Sequence, residues 1–123
     1  MKRVIALAAV AAAVSCLQAA AAQDMVATAG KNAKVVLDND QVRVIELNMP
    51  PGASTGVHSH EGNQLVVFIT GGTALQTGQD GVPKETARKP GEVLWSEPVK
   101  HDTKNTGKAN VRTLVLELKP ASK

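Results

Sequence analysis

The chain has no tyrosine, one phenylalanine (Phe68), one tryptophan (Trp95) and one cysteine (Cys16) in 123 residues. With so few aromatic rings there is no platform on which bases could stack, and the lysines and arginines are scattered rather than clustered. Nucleic acid is therefore not an expected partner. Because the one thiol lies at position 16, everything downstream lacks both a disulfide and a cysteine nucleophile. Its stability must come from packing. There is no G-x-S-x-G elbow for a serine hydrolase of that kind and no phosphate-binding loop; Gly71-Gly72 and Gly78 with Gly81 read as hairpin turns. Paired carboxylates of the kind that cleave glycosides are also not evident. No window holds a sustained helical period.

One apolar run exists, and it lies at the start. Met1-Lys2-Arg3 gives a positive end, Val4 to Val14 is short and alanine-dominated, and Ala19 to Ala22 supplies the small residues a signal peptidase reads. The expectation is a secretory signal over residues 1–22, cut after Ala22, and a periplasmic or secreted product. The run is too short for a bilayer span, which needs about 20 apolar residues. Ala13-Val14-Ser15-Cys16 resembles a bacterial lipobox without its usual leucine, so a lipid anchor at Cys16 is the alternative. Setting aside Lys2 and Arg3 leaves twelve basic and eleven acidic side chains, so the basic character of the whole chain belongs to its first residues.

Residues 23–32 are small and polar and read as a flexible lead-in. From Ala33 to about residue 120 the pattern changes to short β-like runs divided by Gly, Pro, Asn and Asp. These are 33–37, 41–49, 55–60, 64–70, 73–77, 84–89, 92–96, 101–105 and 110–118. Turn signals every 8–12 residues predict one all-β domain, a sandwich or barrel. Leu65, Val67 and Ile69 alternate with Val66 and Phe68, and Leu114, Leu116 and Leu118 alternate with Val111 and Val115. Strands apolar on both faces call for stacked sheets or a covered outer face. A domain of about one hundred residues buries only about two-thirds of its unfolded surface, so a second copy covering one sheet, a homodimer, is expected.

The chain has three histidines. His58 and His60 stand at i and i+2, which in a strand places both rings on one face. Two such imidazoles can share one ion, at about 2.0–2.1 Å if it is zinc. His101 comes from a distant run and would complete a three-nitrogen set. Glu61 follows His60 directly and should point to the opposite face.

These residues resemble the cupin superfamily. Its first signature, G-x5-H-x-H-x3-E-x6-G, is met by Gly52, His58, His60 and Gly71, with Gln64 in the acidic place. Its second, H-x3-N, is met by His101 and Asn105, with Gly107 beyond. The P-x-G turn upstream departs from the pattern: Glu97-Pro98-Val99-Lys100 is one residue shorter and lacks the glycine. The resemblance runs from about residue 33 to 119 and points to the small single-domain exported cupins. It implies a jelly-roll β-barrel of two antiparallel sheets and one divalent transition metal (Fe, Mn, Ni, Cu or Zn). The ligands would be His58, His60 and His101, with Gln64 either as a fourth, neutral ligand or as a residue orienting a water.

An inward Gln64 would turn Val66, Phe68 and Thr70 into a mostly apolar pocket for a small molecule. Arg43, Arg88 and Arg112 are candidates for gripping a carboxylate, against the reading of solvated strand charges. Trp95 reads as core packing near the rim. Asp102 and Asn105 read as fixing the turn after His101. The expected function is a metal-dependent activity on a small molecule, with a dioxygenase preferred over an isomerase or lyase and no organic cofactor. A non-catalytic module binding a small ligand or a metal is the alternative.

Overall fold

A computed structural model describes residues 23–121. The expected signal segment and Cys16 lie outside the described residues. Nine strands run through the described chain: β1 Ala33–Asp38, β2 Val42–Met49, β3 His58–His60, β4 Gln64–Phe68, β5 Gly72–Thr77, β6 Pro83–Arg88, β7 Val93–Ser96, β8 Val99–Asn105 and β9 Val111–Leu118. Turn chemistry sets the breaks. Asn39 Oδ1 accepts from the amides of Gln41 and Val42 at 2.8 and 2.9 Å and folds β1 back on β2. After β2, Pro50-Pro51 cannot continue a ladder, and Gly52 takes the positive φ of 81° that the turn requires.

The strands form two antiparallel sheets, ordered β1-β2-β9-β4-β7 and β3-β8-β5-β6. This is the expected jelly roll, its inner faces set by two-residue alternation. Along β2, Ile45, Leu47 and Met49 point inward and are buried, while Glu46 and Asn48 point out. Val115 of β9 joins them in the core.

Two expectations need correction. Residues 23–32 are not a loose lead-in. They hold a helix α1, Met25–Ala29, and a 3-10 turn, Gly30–Asn32. Asp24 caps α1 by accepting from the Val26 amide at 2.8 Å, and Gly30 ends it. Met25 and Ala29 then enter the core cluster with Ile45 and Leu47, so burial, not propensity, holds so short a helix. Second, Trp95 is not core: it is 53% exposed. Its register partner is Leu65, so both lie on the outer face of the five-stranded sheet, while the neighbouring Leu94 faces the interior. Among the described residues nothing covers the end of that face where Trp95 stands. Val93 and Leu118 are also exposed on it, and Ile69 lies exposed just beyond the end of β4.

Candidate metal centre

Strand pairing builds the site. In the β3–β8 ladder His58 stands opposite His101, and His60 lies two residues along β3 on the same face. The shortened turn before β8 therefore does not displace His101, because the strand starts at Val99 and brings it into register. The ring centroids lie 4.7 Å apart for His58–His60, 4.8 Å for His58–His101 and 5.6 Å for His60–His101. One nitrogen from each ring falls within 4.8 Å of the others. His58 and His60 are buried and His101 is half-buried.

The hydrogen bonds orient the rings. His58 Nδ1 lies 2.8 Å from the carbonyl oxygen of Gly56, which can only accept, so the ring donates there. Gly56 has φ 75°, and a Cβ on it would stand 3.1 Å from the Thr28 Cβ, so glycine permits both the turn and the docking of α1. His60 Nδ1 faces Glu117 Oε1 at 3.4 Å, outside hydrogen-bond geometry but close enough to favour a proton on that nitrogen. In neutral rings both Nε2 atoms then carry lone pairs, and they stand 2.9 Å apart.

Burial, reinforced by the neighbouring His58 and His60, pushes His101 down to about 4. Burial also lowers His58, with His60 adding to it and the Gly56 carbonyl opposing it. Neutral imidazoles with facing lone pairs in a largely buried pocket repel one another unless a cation sits between them.

Gln64 completes the case. Its side chain is 2% exposed. Its amide nitrogen donates to Ser96 Oγ at 3.3 Å, while its buried Oε1 has no hydrogen-bond partner among the described residues. An orphaned amide oxygen within the cavity that holds three imidazoles fits a metal, or a water held by one. The residues present therefore suit a divalent transition metal. Glu61 is exposed and outside the cluster, as strand alternation required.

The cavity beside the histidines has a volume near 100 Å³ and runs inward past Val66, Phe68 and Leu94. Thr70 does not line it. The chain leaves β4 at Phe68, and Thr70 Oγ1 instead accepts from the Arg112 amide at 2.8 Å. The arginines separate. Arg112 pairs with Glu46 on the outer face at 2.8 Å. Arg88 lines the inner end of the cavity, 5.6 Å over the Phe68 ring. Arg43 stands by the histidines but is held by Asp24 and Glu117. Asn105 does fix the chain after His101: its Nδ2 donates to the carbonyls of Met49 and Ala109, both at 2.8 Å, and its Oδ1 accepts from Gly107. Asp102 accepts from Thr55 at 3.3 Å.

Two contributors were not anticipated from sequence, Met25 in the cavity wall and Glu117 behind His60. The inward alternation of Thr113, Val115 and Glu117 along β9 was the available signal for the second.

A family model described as a cupin domain matches residues 45–117. The chain belongs to the cupin family. Solved cupins share the architecture. A cupin domain from Bordetella pertussis Tohama I is 29% identical with a TM-score of 0.68, covering 72% of this chain and 92% of that one. An RmlC-like cupin family protein with a double-stranded β-helix fold from Methanocaldococcus jannaschii is 17% identical with a TM-score of 0.60, covering 71% and 78%. A protein with a double-stranded β-helix domain from Klebsiella pneumoniae is 19% identical at 0.56, covering 79% and 87%. No curated protein matches this cupin. Among its described residues no helix is long and apolar enough to cross a membrane.

Proposed function

We propose that this cupin holds one divalent transition metal on His58, His60 and His101 and acts on a small molecule in the adjoining cavity. Gln64 serves as the neutral fourth ligand or positions a water. The observation that carries the reading is the pair of Nε2 atoms facing each other at 2.9 Å, with both outer nitrogens turned toward acceptors. A metal there supplies Lewis-acid polarisation or, if iron or copper, oxygen chemistry. Among the described residues, those lining the cavity include no carboxylate and no lysine. Isomerases and lyases commonly need a positioned proton acceptor, so its absence from the wall favours dioxygenation. The same absence supports the second reading, a module that captures a metal or small ligand without turnover.

Metal analysis of protein recovered from its own cell envelope tests the site, with a His58→Ala, His60→Ala variant as control. One equivalent of metal, lost in the variant, is expected; equal and negligible metal in both would end the proposal. Oxygen uptake by the iron-loaded protein against diketones, flavonols and thiol acids then separates enzyme from binding module. We also propose export, with the chain processed after Ala22, which the mass of the recovered protein checks. Self-association through the outer face of the five-stranded sheet is proposed as well.

A further inference from the structure

The family resemblance puts an acidic residue where this chain has Gln64, so the metal site has no anionic ligand among its candidates. A carboxylate is nonetheless close by. In the β4–β9 ladder Gln64 pairs with Glu117, and Glu117 Oε1 stands 3.4 Å from the outer nitrogen of His60. The three histidine nitrogens form the cluster without it, so Glu117 lies behind a ligand rather than beside the metal. It is itself held. Arg43 Nε donates to Glu117 Oε2 at 2.9 Å, and Arg43 Nη2 reaches Asp24 at 2.5 Å. Asp24 caps α1 through its other oxygen. A line of contacts thus runs from the N-terminal helix through Asp24, Arg43 and Glu117 to His60.

We propose that Glu117 is a positioning residue for the metal, fixing His60 with its proton on Nδ1 and supplying from behind that ring the negative charge that Gln64 does not. Arg43 and Asp24 keep the carboxylate in place. The inference rests on the three-histidine reading and deepens it. At 3.4 Å the contact is an electrostatic one rather than a hydrogen bond; a carboxylate facing the outer nitrogen of a ligating imidazole still favours the proton there and raises the ring's basicity, and losing such a partner weakens metal affinity about 10–100-fold. Arg43 holds Glu117 back from turning inward, since the hydrogen bond from Nε and the ion pair from Nη2 at 2.8 Å would both have to break. This also gives a role to a half-buried charged pair that does not line the cavity beside the histidines.

The experiment measures Zn2+ affinity of the processed protein by competition with a chromogenic chelator, together with imidazole nitrogen chemical shifts of the metal-free protein. Glu117→Ala should weaken Zn2+ binding about 10–100-fold and let the His60 ring populate both tautomers. Glu117→Gln, which can still accept but carries no charge, should fall between Ala and the parent. Arg43→Gln should move both readouts in the same direction by less, and is read in place of Glu117→Ala should that variant not fold. Affinity and tautomer both unchanged in Glu117→Ala, while the parent binds Zn2+ and His58→Ala does not, would overturn this inference alone. A parent that binds Zn2+ no better than His58→Ala would remove the metal site and this inference with it.

Discussion

Gln64 is the residue whose chemistry most distinguishes this site. Its amide nitrogen is anchored on Ser96, and its oxygen is buried without a hydrogen-bond partner among the described residues. Changing Gln64→Glu keeps the shape and adds a charge. With metal present, that charge should tighten binding about tenfold or more, because a full anion faces the dication. Without metal, the same carboxylate is buried with a single hydroxyl near it and should cost roughly 1–3 kcal/mol. Melting temperatures with and without Zn2+ would therefore move in opposite directions, and a shift of the same sign in both would refute the assignment. The histidines add a pH dependence. His101, pushed to about 4, and His58, also lowered, bind protons less readily in the folded chain than unfolded. Stability of the metal-free protein should thus fall as pH drops below the ordinary histidine value of about 6.5. Against the opposing effect of burial, Arg43 holds Asp24 low and His60 together with Arg43 holds Glu117 low; both act in the same sense but in a more acidic range. Differential scanning calorimetry across this range, with His101→Gln losing part of the slope, checks the sign.

At the scale of elements, the site depends on where two strands begin and end. Asn105 closes β8 and ties it to the end of β2 through Met49 and to the turn before β9 through Ala109 and Gly107. Asn105→Ala would leave the buried Met49 carbonyl without this donor and free the turn at Ala109 and Gly107, and should destabilise the fold by roughly 2–4 kcal/mol, read from chemical denaturation. Denaturation unchanged by that substitution would show that these bonds are replaced. The strands were legible because period-2 alternation and turn residues are local signals: the nine runs read from sequence match the nine observed strands to within a few residues. Helix α1 was not legible, because five residues are too few to show a period. Its only signs were the capping Asp24 and the terminating Gly30. The pairing of His58 with His101 is a tertiary register. Sequence spacing proposes it, but only the ladder between β3 and β8 establishes it. Glu117 escaped for the same reason, since its importance comes from the strand facing it.

At the scale of the molecule, the outer face of the five-stranded sheet remains to be accounted for. Registers carry an apolar row across the whole sheet: Leu37 opposite Val44, Val44 opposite Leu116, Leu116 opposite Leu65, and Leu65 opposite Trp95. A second row joins Leu114, Val67 and Val93. Lys34, Glu46 and Arg112 flank these rows with charges of both signs. An antiparallel sheet open to water on one face would ordinarily carry polar residues there. Apolar rows of this kind suit a contact, and the proposed two-fold arrangement of identical faces would bury their exposed members while matching the mixed charges. Trp95 tests this without a label, being the only tryptophan in the chain. It is 53% exposed in the single chain, so dilution of a dimer should shift its fluorescence to the red and sedimentation should show a mass falling toward one chain. Trp95→Asp should sediment as a monomer at every concentration while keeping its fold, because an exposed edge position tolerates charge. A parent that sediments as a monomer with constant emission across the same range would leave this face to some other partner.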